Sequence, residues 1–367
     1  MSPPHLHLVI PGPLDQRTGG YLYDARMVDE LRRANWRVTI HPLEGRFPDP
    51  DGRARASLEE VLARLPDGSR VLLDGLAMGG LPESLRPHAN RLRLMGLVHH
   101  PLADETGLDP SQRERLGSLE REALAACRGV VVTSDFTAAR VVEMGVSPDG
   151  IRVAPPGTRA ASDARGPGPG HPPRLLCVAS VIPRKGHDVL VEALALIRDL
   201  PWSCVCAGSL GRAPAFARSV RQKVEEEGLE ARVRFPGECE DGMLDHLYHG
   251  ASLLVLASHY EGYGMVLTEA LARGLPVVST TGGAIPATVP AKAGLLVPPG
   301  DAEALAGALR SLLAGTPEAE RARERMAEAA RSHAASLPDW REAGLTFARC
   351  LLELSPEAEP PVGGSHG

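Results

Sequence analysis

The chain has 367 residues, 43% hydrophobic and 23% charged, with a formal net charge of −6 at pH 7. That is enough apolar material for two cores of ordinary domain size and excludes a chain disordered along most of its length. The acidic balance excludes the basic footprint of a nucleic-acid-binding protein, so any phosphate on a partner must be met by local positive groups.

Only three of the 40 basic residues are lysines, Lys185, Lys223 and Lys292, which singles each of them out. The six cysteines (127, 177, 204, 206, 239 and 350) follow no C-x-x-C or paired spacing, so neither a disulfide framework nor a zinc site is expected. Cys204 and Cys206, two apart in a strand, share one face. No run of 18 apolar residues occurs, and Met1 to Val9 lacks the basic start and long apolar core of a signal peptide. The expected location is cytoplasmic.

Taken in order, Leu6 to Ile10 reads as a buried strand running into Pro11-Gly12-Pro13 and the pair Gly19-Gly20, with a helix from about Tyr21 to Ala34. A glycine pair between strand and helix is either a phosphate loop or an ordinary flexible turn. Arg37 to His41 is a second strand, Leu58 to Leu65 a helix, and Val71 to Leu73 a third strand ending in Asp74-Gly75. Asp49-Pro50-Asp51 reads as a surface turn rather than a metal pair. Arg26, Arg32, Arg33 and Arg37 could form a patch for peripheral membrane contact, but only Arg26 and Arg33, seven apart, share a helical face, which favours a solvated helix. Leu94 to Val98 is a further strand. It places His99-His100-Pro101 at its carboxyl end, where open α/β sheets bind ligands; the alternative is a histidine that only caps the strand end. A helix from Gly117 to Cys127, a strand from Gly129 to Thr133 and a helix capped by Ser134 or Asp135 follow.

Strands alternating with helices imply parallel sheets covered on both faces. Residues 1–158 read as one such domain, 159–173 as a Gly/Pro-rich linker, and 174–336 as a second domain. A closing helix over 337–354 and a polar, disordered tail over 355–367 complete the chain. In the second domain the loop from Ser180 to Asp188 carries Arg184 and Lys185, a planar fork and a point charge suited to phosphate. The stretch Ser258 to Pro276 is the organising one. Leu253 to Leu256 is a buried strand, Gly262 and Gly264 allow a tight turn, and the helix that follows points its free amides and positive dipole end at an anion. Glu261 and Glu269, eight residues apart, stand about 12 Å from one another on a helical rise. Each can accept O–H donation from a vicinal diol; the alternative is two solvated glutamates.

Glu261-x7-Glu269, with Gly262-Tyr263-Gly264 and Gly274-x-Pro276-Val277-Val278, resembles the donor site of family 4 glycosyltransferases. The resemblance implies a GT-B fold, two Rossmann-like domains facing across a cleft, with the last helix crossing back to the first domain. It implies a retaining transfer from a nucleoside-diphosphate sugar, UDP- or GDP-linked, with no separate cofactor and no metal. Glu261 and the next amides would hold the sugar, the amides of Met265 and Val266 the diphosphate, and Glu269 the ribose. Gly237 and Glu238 would border the base, Gly19 and Gly20 would face the diphosphate and the acceptor, and His99 would touch the sugar or the reacting centre. The family carries an Arg about five residues before the Lys; here that place is Ser180, which leaves Arg184 as the replacement. A non-catalytic sugar-nucleotide binder, an epimerase or hydrolase on the same fold, and a transferase using a lipid acceptor are the competing readings.

Overall fold

The computed structural model describes residues 3–168 and 170–356. Twelve strands form two parallel sheets of six, and their order explains the cleft. The first sheet runs β2-β1-β3-β4-β5-β6, from β1 (His5–Pro11), β2 (Arg37–Leu43), β3 (Arg70–Asp74), β4 (Arg93–Val98), β5 (Gly129–Val132) and β6 (Ile151–Val153). The second runs β12-β11-β10-β7-β8-β9, from β7 (Arg174–Val178), β8 (Ser203–Ala207), β9 (Val233–Gly237), β10 (Leu253–Leu256), β11 (Val277–Thr280) and β12 (Gly294–Val297). β3, β5, β10 and β11 are buried along their whole length, as strands covered by helices on both faces must be. Each sheet is an α/β layer with its own core, and in each the order reverses beside the first strand, which opens a crevice at the carboxyl ends.

Two helices begin earlier than hydrophobic periodicity predicts. Asp51 caps Gly52–Arg64 through the Ala54 amide, and Asp109 with Gln112 forms a capping box opening Pro110–Ala125. Their first turns are too polar to show an apolar stripe, and the caps carry the start signal instead. Gly19 and Gly20, expected in a loop, form the first turn of the helix Gly19–Arg33. Glu240 precedes the helix Asp241–His249.

The last helix, Trp340–Leu354, lies against Gly19–Arg33. A Cβ added at Gly344 would collide with Glu30, so the crossing is close, and Phe347 meets Tyr23 edge-on at 5.9 Å. Ser355, assigned to the tail on sequence grounds, is fully buried, and its Oγ accepts from Arg70 Nε at 3.1 Å. Residues 357–367, expected to be disordered, lie outside the described residues. The four arginines of the suggested surface patch all have partners within the chain. Arg26 lies 6.0 Å over Trp340, Arg32 reaches Val38 O, Arg33 pairs with Glu30, and Arg37 bonds His5 at 2.7 Å. Among the described residues no helix is long and apolar enough to cross a membrane.

Candidate active site

The carboxyl ends of both sheets face a shared cleft of about 420 Å³. On the side of the second sheet, the turn leaving β7 and the turn leaving β10 meet. Gly186 is left-handed (φ 62°), and a side chain there would collide with the Ala257 carbonyl. Its bareness lets Lys185 sit down on the β10 turn. Lys185 Nζ donates to Glu261 Oε1 at 2.5 Å, and Ser258 Oγ donates to the same oxygen at 2.6 Å. Burial opposes charge on both partners, yet Lys185 and Arg184 hold Glu261 below its ordinary carboxylate value. Burial outweighs Glu261 at the ammonium and holds Lys185 below its usual value. The pair is therefore poised to exchange partners when a ligand brings charge of its own.

Arg184 points elsewhere. It donates to the Tyr260 carbonyl at 3.0 Å, lies 3.2 Å from Glu105 of the first domain and 3.9 Å from Glu261 Oε2. It thus couples the Glu261 carboxylate to the opposite wall. Glu105, held by His100 and Arg184 against the opposing effect of burial, is pulled down to about 2.

Gly264 (φ 88°) is the left-handed cap of the helix Met265–Leu271. Glu269 is on that helix and Glu261 before it, so only part of the span between them is helical. Glu269 Oε2 accepts from Tyr248 Oη at 2.8 Å, and Arg273 stacks 4.4 Å over the Tyr248 ring. Burial raises the Glu269 pKa against these partners.

The side of the first sheet is assembled from three elements. Asp24 comes from the first helix, Asp74 from the end of β3 and His99 from the end of β4. His99 Nε2 donates to Asp24 Oδ1 at 3.0 Å and lies 3.7 Å from Asp74 Oδ2. Burial disfavours the imidazolium, but the two aspartates hold the His99 pKa above its ordinary value. Burial, then Asp24, push Asp74 up to about 7. His100 turns the other way, 3.5 Å from Glu105 and with its ring tilted against that of Tyr260 at 4.6 Å.

The cleft is lined by Gly19, Gly20, His99, Arg184 and Lys185, by Glu238, and by the run Glu261 to Val266 with Glu269. Gly237 is not in the lining; it ends β9 and gives its carbonyl to the Gly208 amide at 2.9 Å. Gly262 has a different reason to be glycine from the one its place in the motif suggests. A Cβ there would collide with the His99 carbonyl, while Ser134 and Thr137 donate to the Gly262 carbonyl at 2.6 and 3.2 Å. Its bareness serves the contact between the domains. Sequence reasoning missed Asp24, Asp74, Tyr248 and Arg212, the last of which lines the cleft and donates to Gln16 Oε1 at 2.9 Å. The signal for Asp74 was present, since it ends a central strand as His99 does. Asp24 stands on the buried stripe of Met27, Val28 and Leu31.

Two groups of described residues bring three possible metal ligands within 4.8 Å of one another: Asp24, Asp74 and His99 beside the cleft, and Cys177, His187 and Cys206 in the core of the second domain. In the first, the imidazole nitrogen is already engaged as a donor to carboxylate. The cysteines are all free thiols.

Residues 158–333 match the family described as glycosyl transferases group 1. A D-inositol 3-phosphate glycosyltransferase of Saccharomonospora viridis is 31% identical over 278 residues, 68% of this chain and 63% of the relative. The protein of the same name from Jonesia denitrificans is 34% identical over 167 residues, 44% of this chain and 38% of the relative. The chain thus spans less than two thirds of the length of these relatives. Among solved structures, sucrose-phosphate synthase from Thermosynechococcus elongatus superposes with a TM-score of 0.81 at 24% identity, covering 96% of this chain and 99% of that one. Anabaena HepE in complex with UDP and glucose gives 0.73 at 17% identity, covering 94% and 98%. The chain has the two-sheet GT-B fold of these solved structures, and over residues 158–333 it is similar to the group 1 glycosyl transferases.

Proposed function

We propose that the protein is a retaining glycosyltransferase that moves a sugar from a nucleoside-diphosphate sugar to an acceptor hydroxyl. The observation that carries this is the floor of the cleft, where Lys185 is clamped on Glu261 beside the capped start of the helix at Met265. A diphosphate arriving there takes over Lys185 and releases Glu261 to accept from sugar hydroxyls. The amides of Met265 and Val266 receive phosphate oxygens, Glu269 takes the ribose diol, and Glu238 borders the base. HepE has been crystallised with UDP-glucose, which favours a UDP-sugar over a GDP-sugar as the first donor to test.

As the bond from the anomeric carbon to the phosphate oxygen breaks, negative charge gathers on the leaving diphosphate. Fixed cations (Lys185, Arg184) and oriented amides stabilise it in a site that excludes water. The acceptor oxygen bonds the same carbon from the leaving-group side, and its proton passes to a phosphate oxygen. His99, its pKa raised by two aspartates against the opposing effect of burial, meets the sugar as a donor. No metal enters these steps, so full activity is expected in chelator. The names of the curated relatives include a phosphorylated polyol as acceptor; the acceptor of this chain is a separate question.

The test is a thermal-shift screen against UDP-, GDP- and ADP-sugars, with Lys185→Ala and Glu269→Ala alongside. A shift with one donor, reduced in both variants, is expected. No shift with any donor, or a strict need for metal in the transfer assay, would overturn the reading.

A further inference from the structure

We propose that the acceptor is an uncharged polyhydroxy compound with an apolar face or tail, an alkyl glycoside in chemical type, and not a phosphorylated sugar or polyol. This rests on the function proposed above and adds the substrate class of the other half of the cleft.

The second sheet supplies the donor groups, so the acceptor must be met by the first. Charge there is predominantly acidic. Asp74 lines the cleft with Asp24 directly behind it, two carboxylates sharing one imidazole. Glu105 adds a third carboxylate, already engaged by Arg184. The first-domain cation in the lining, Arg17, is tied across the cleft to the Cys239 carbonyl at 2.9 Å and to Asp241 at 3.5 Å. Burial lowers the His100 pKa. A phosphate dianion docked here would face Asp74 and Glu105, while Arg17 is committed to Asp241, Arg184 to Glu105 and Arg212 to Gln16 at 2.9 Å, and repulsion of that kind excludes a ligand as firmly as attraction selects one. A neutral diol has the opposite relation to the same groups, because carboxylates accept its hydroxyl protons.

The apolar part has its own observation. Leu22 and Leu76, 42% and 37% exposed, are among the few large hydrophobic residues left open on the molecule, and both line this cleft. Leu76 follows Asp74 by two residues with the bare Gly75 between them. Carboxylate and leucine side by side suit a ring that presents hydroxyls on its edge and C–H groups or an alkyl chain on its face.

The experiment is calorimetry on the full chain saturated with UDP or GDP, whichever the donor screen selects. The titrants are n-hexyl β-D-glucoside and glucose 6-phosphate. The glucoside is expected to bind at least about tenfold more tightly, and Leu76→Asp to weaken it while leaving nucleotide affinity unchanged, which also verifies that the variant is folded. Equal or tighter binding of glucose 6-phosphate, or no heat with either titrant, would overturn the proposal. Failure of the nucleotide itself to bind would count against the glycosyltransferase reading instead, so the two failures are distinguishable.

Discussion

The two halves of the cleft come from the same strand-and-helix repeat, yet they store charge in opposite ways. On the second-sheet side, Glu261 and Glu269 each have a cation or hydroxyl donor set against them: Lys185 and Ser258 on Glu261, Tyr248 on Glu269. On the first-sheet side, two aspartates crowd one histidine and repel each other. A compensated pair can trade a partner for a ligand at little cost, which suits a site that must take up and release a diphosphate. An uncompensated acidic cluster cannot, and it selects by what it refuses. The proposed division of labour between donor and acceptor rests on that difference.

The comparison can be broken most severely on the donor side. Lys185→Ala leaves Glu261 buried beside Ser258 without its cation and removes a phosphate donor. Affinity for the nucleotide sugar is expected to fall by about 1.5–3 kcal/mol, roughly ten- to a hundredfold, in a direct titration. Unchanged affinity would mean that the diphosphate lies elsewhere. Next in size is the seam between the halves. Gly262→Ala forces a methyl against the His99 carbonyl, an overpacking that costs about 1–3 kcal/mol. Transfer should fall with it, whereas melting at the wild-type temperature with full activity would show that the seam gives way freely.

The acidic half makes its prediction through pH. His99, with its pKa raised, contributes stability that is complete below 6.5 and is lost as pH rises through its folded value. Asp74, raised to about 7, adds a cost of the same sign as it ionises above the ordinary 3.8. The melting temperature should therefore decline as pH rises across this range. Asp24→Asn removes both the partner of His99 and the repulsion on Asp74, so its profile should be flatter; an unchanged slope would show that the decline arises elsewhere. The Lys185–Glu261 pair has the contrary sign. Its contribution through Glu261 is present above 4.5 and is lost as pH falls through the depressed value, steepening acid unfolding relative to Lys185→Met. The smallest effect belongs to the closing helix. Ser355→Ala removes one buried bond to Arg70 and should cost about 1 kcal/mol in denaturant unfolding, with no change in donor affinity.

The same contrast explains what could be read from the chain beforehand. The donor side is built from two short continuous stretches, Ser180 to Asp188 and Ser258 to Glu269, so its parts appear together in the sequence at fixed spacing. Alternating strands and helices likewise announce two parallel sheets. The acidic cluster draws on positions 24, 74 and 99, brought together only by the order of β1, β3 and β4, and no local spacing signals it. Gly262 shows a subtler limit. A glycine in a turn reads as room for a ligand, but its neighbour here is a carbonyl from the other domain, 163 residues away in the chain (262 − 99). Helix starts were missed for a local reason: at Asp51 and Asp109 the cap, and not an apolar stripe, begins the helix.

In the proposed function the second domain holds the nucleotide of the donor while the acidic wall of the first serves the acceptor. The measurement that meets it most directly is calorimetric titration of the selected nucleotide sugar into wild type, Glu269→Ala and Asp74→Asn under one set of conditions. The account predicts a large loss of affinity in Glu269→Ala and wild-type affinity in Asp74→Asn. Full affinity in the first and a loss in the second would place the donor against the first sheet and contradict it.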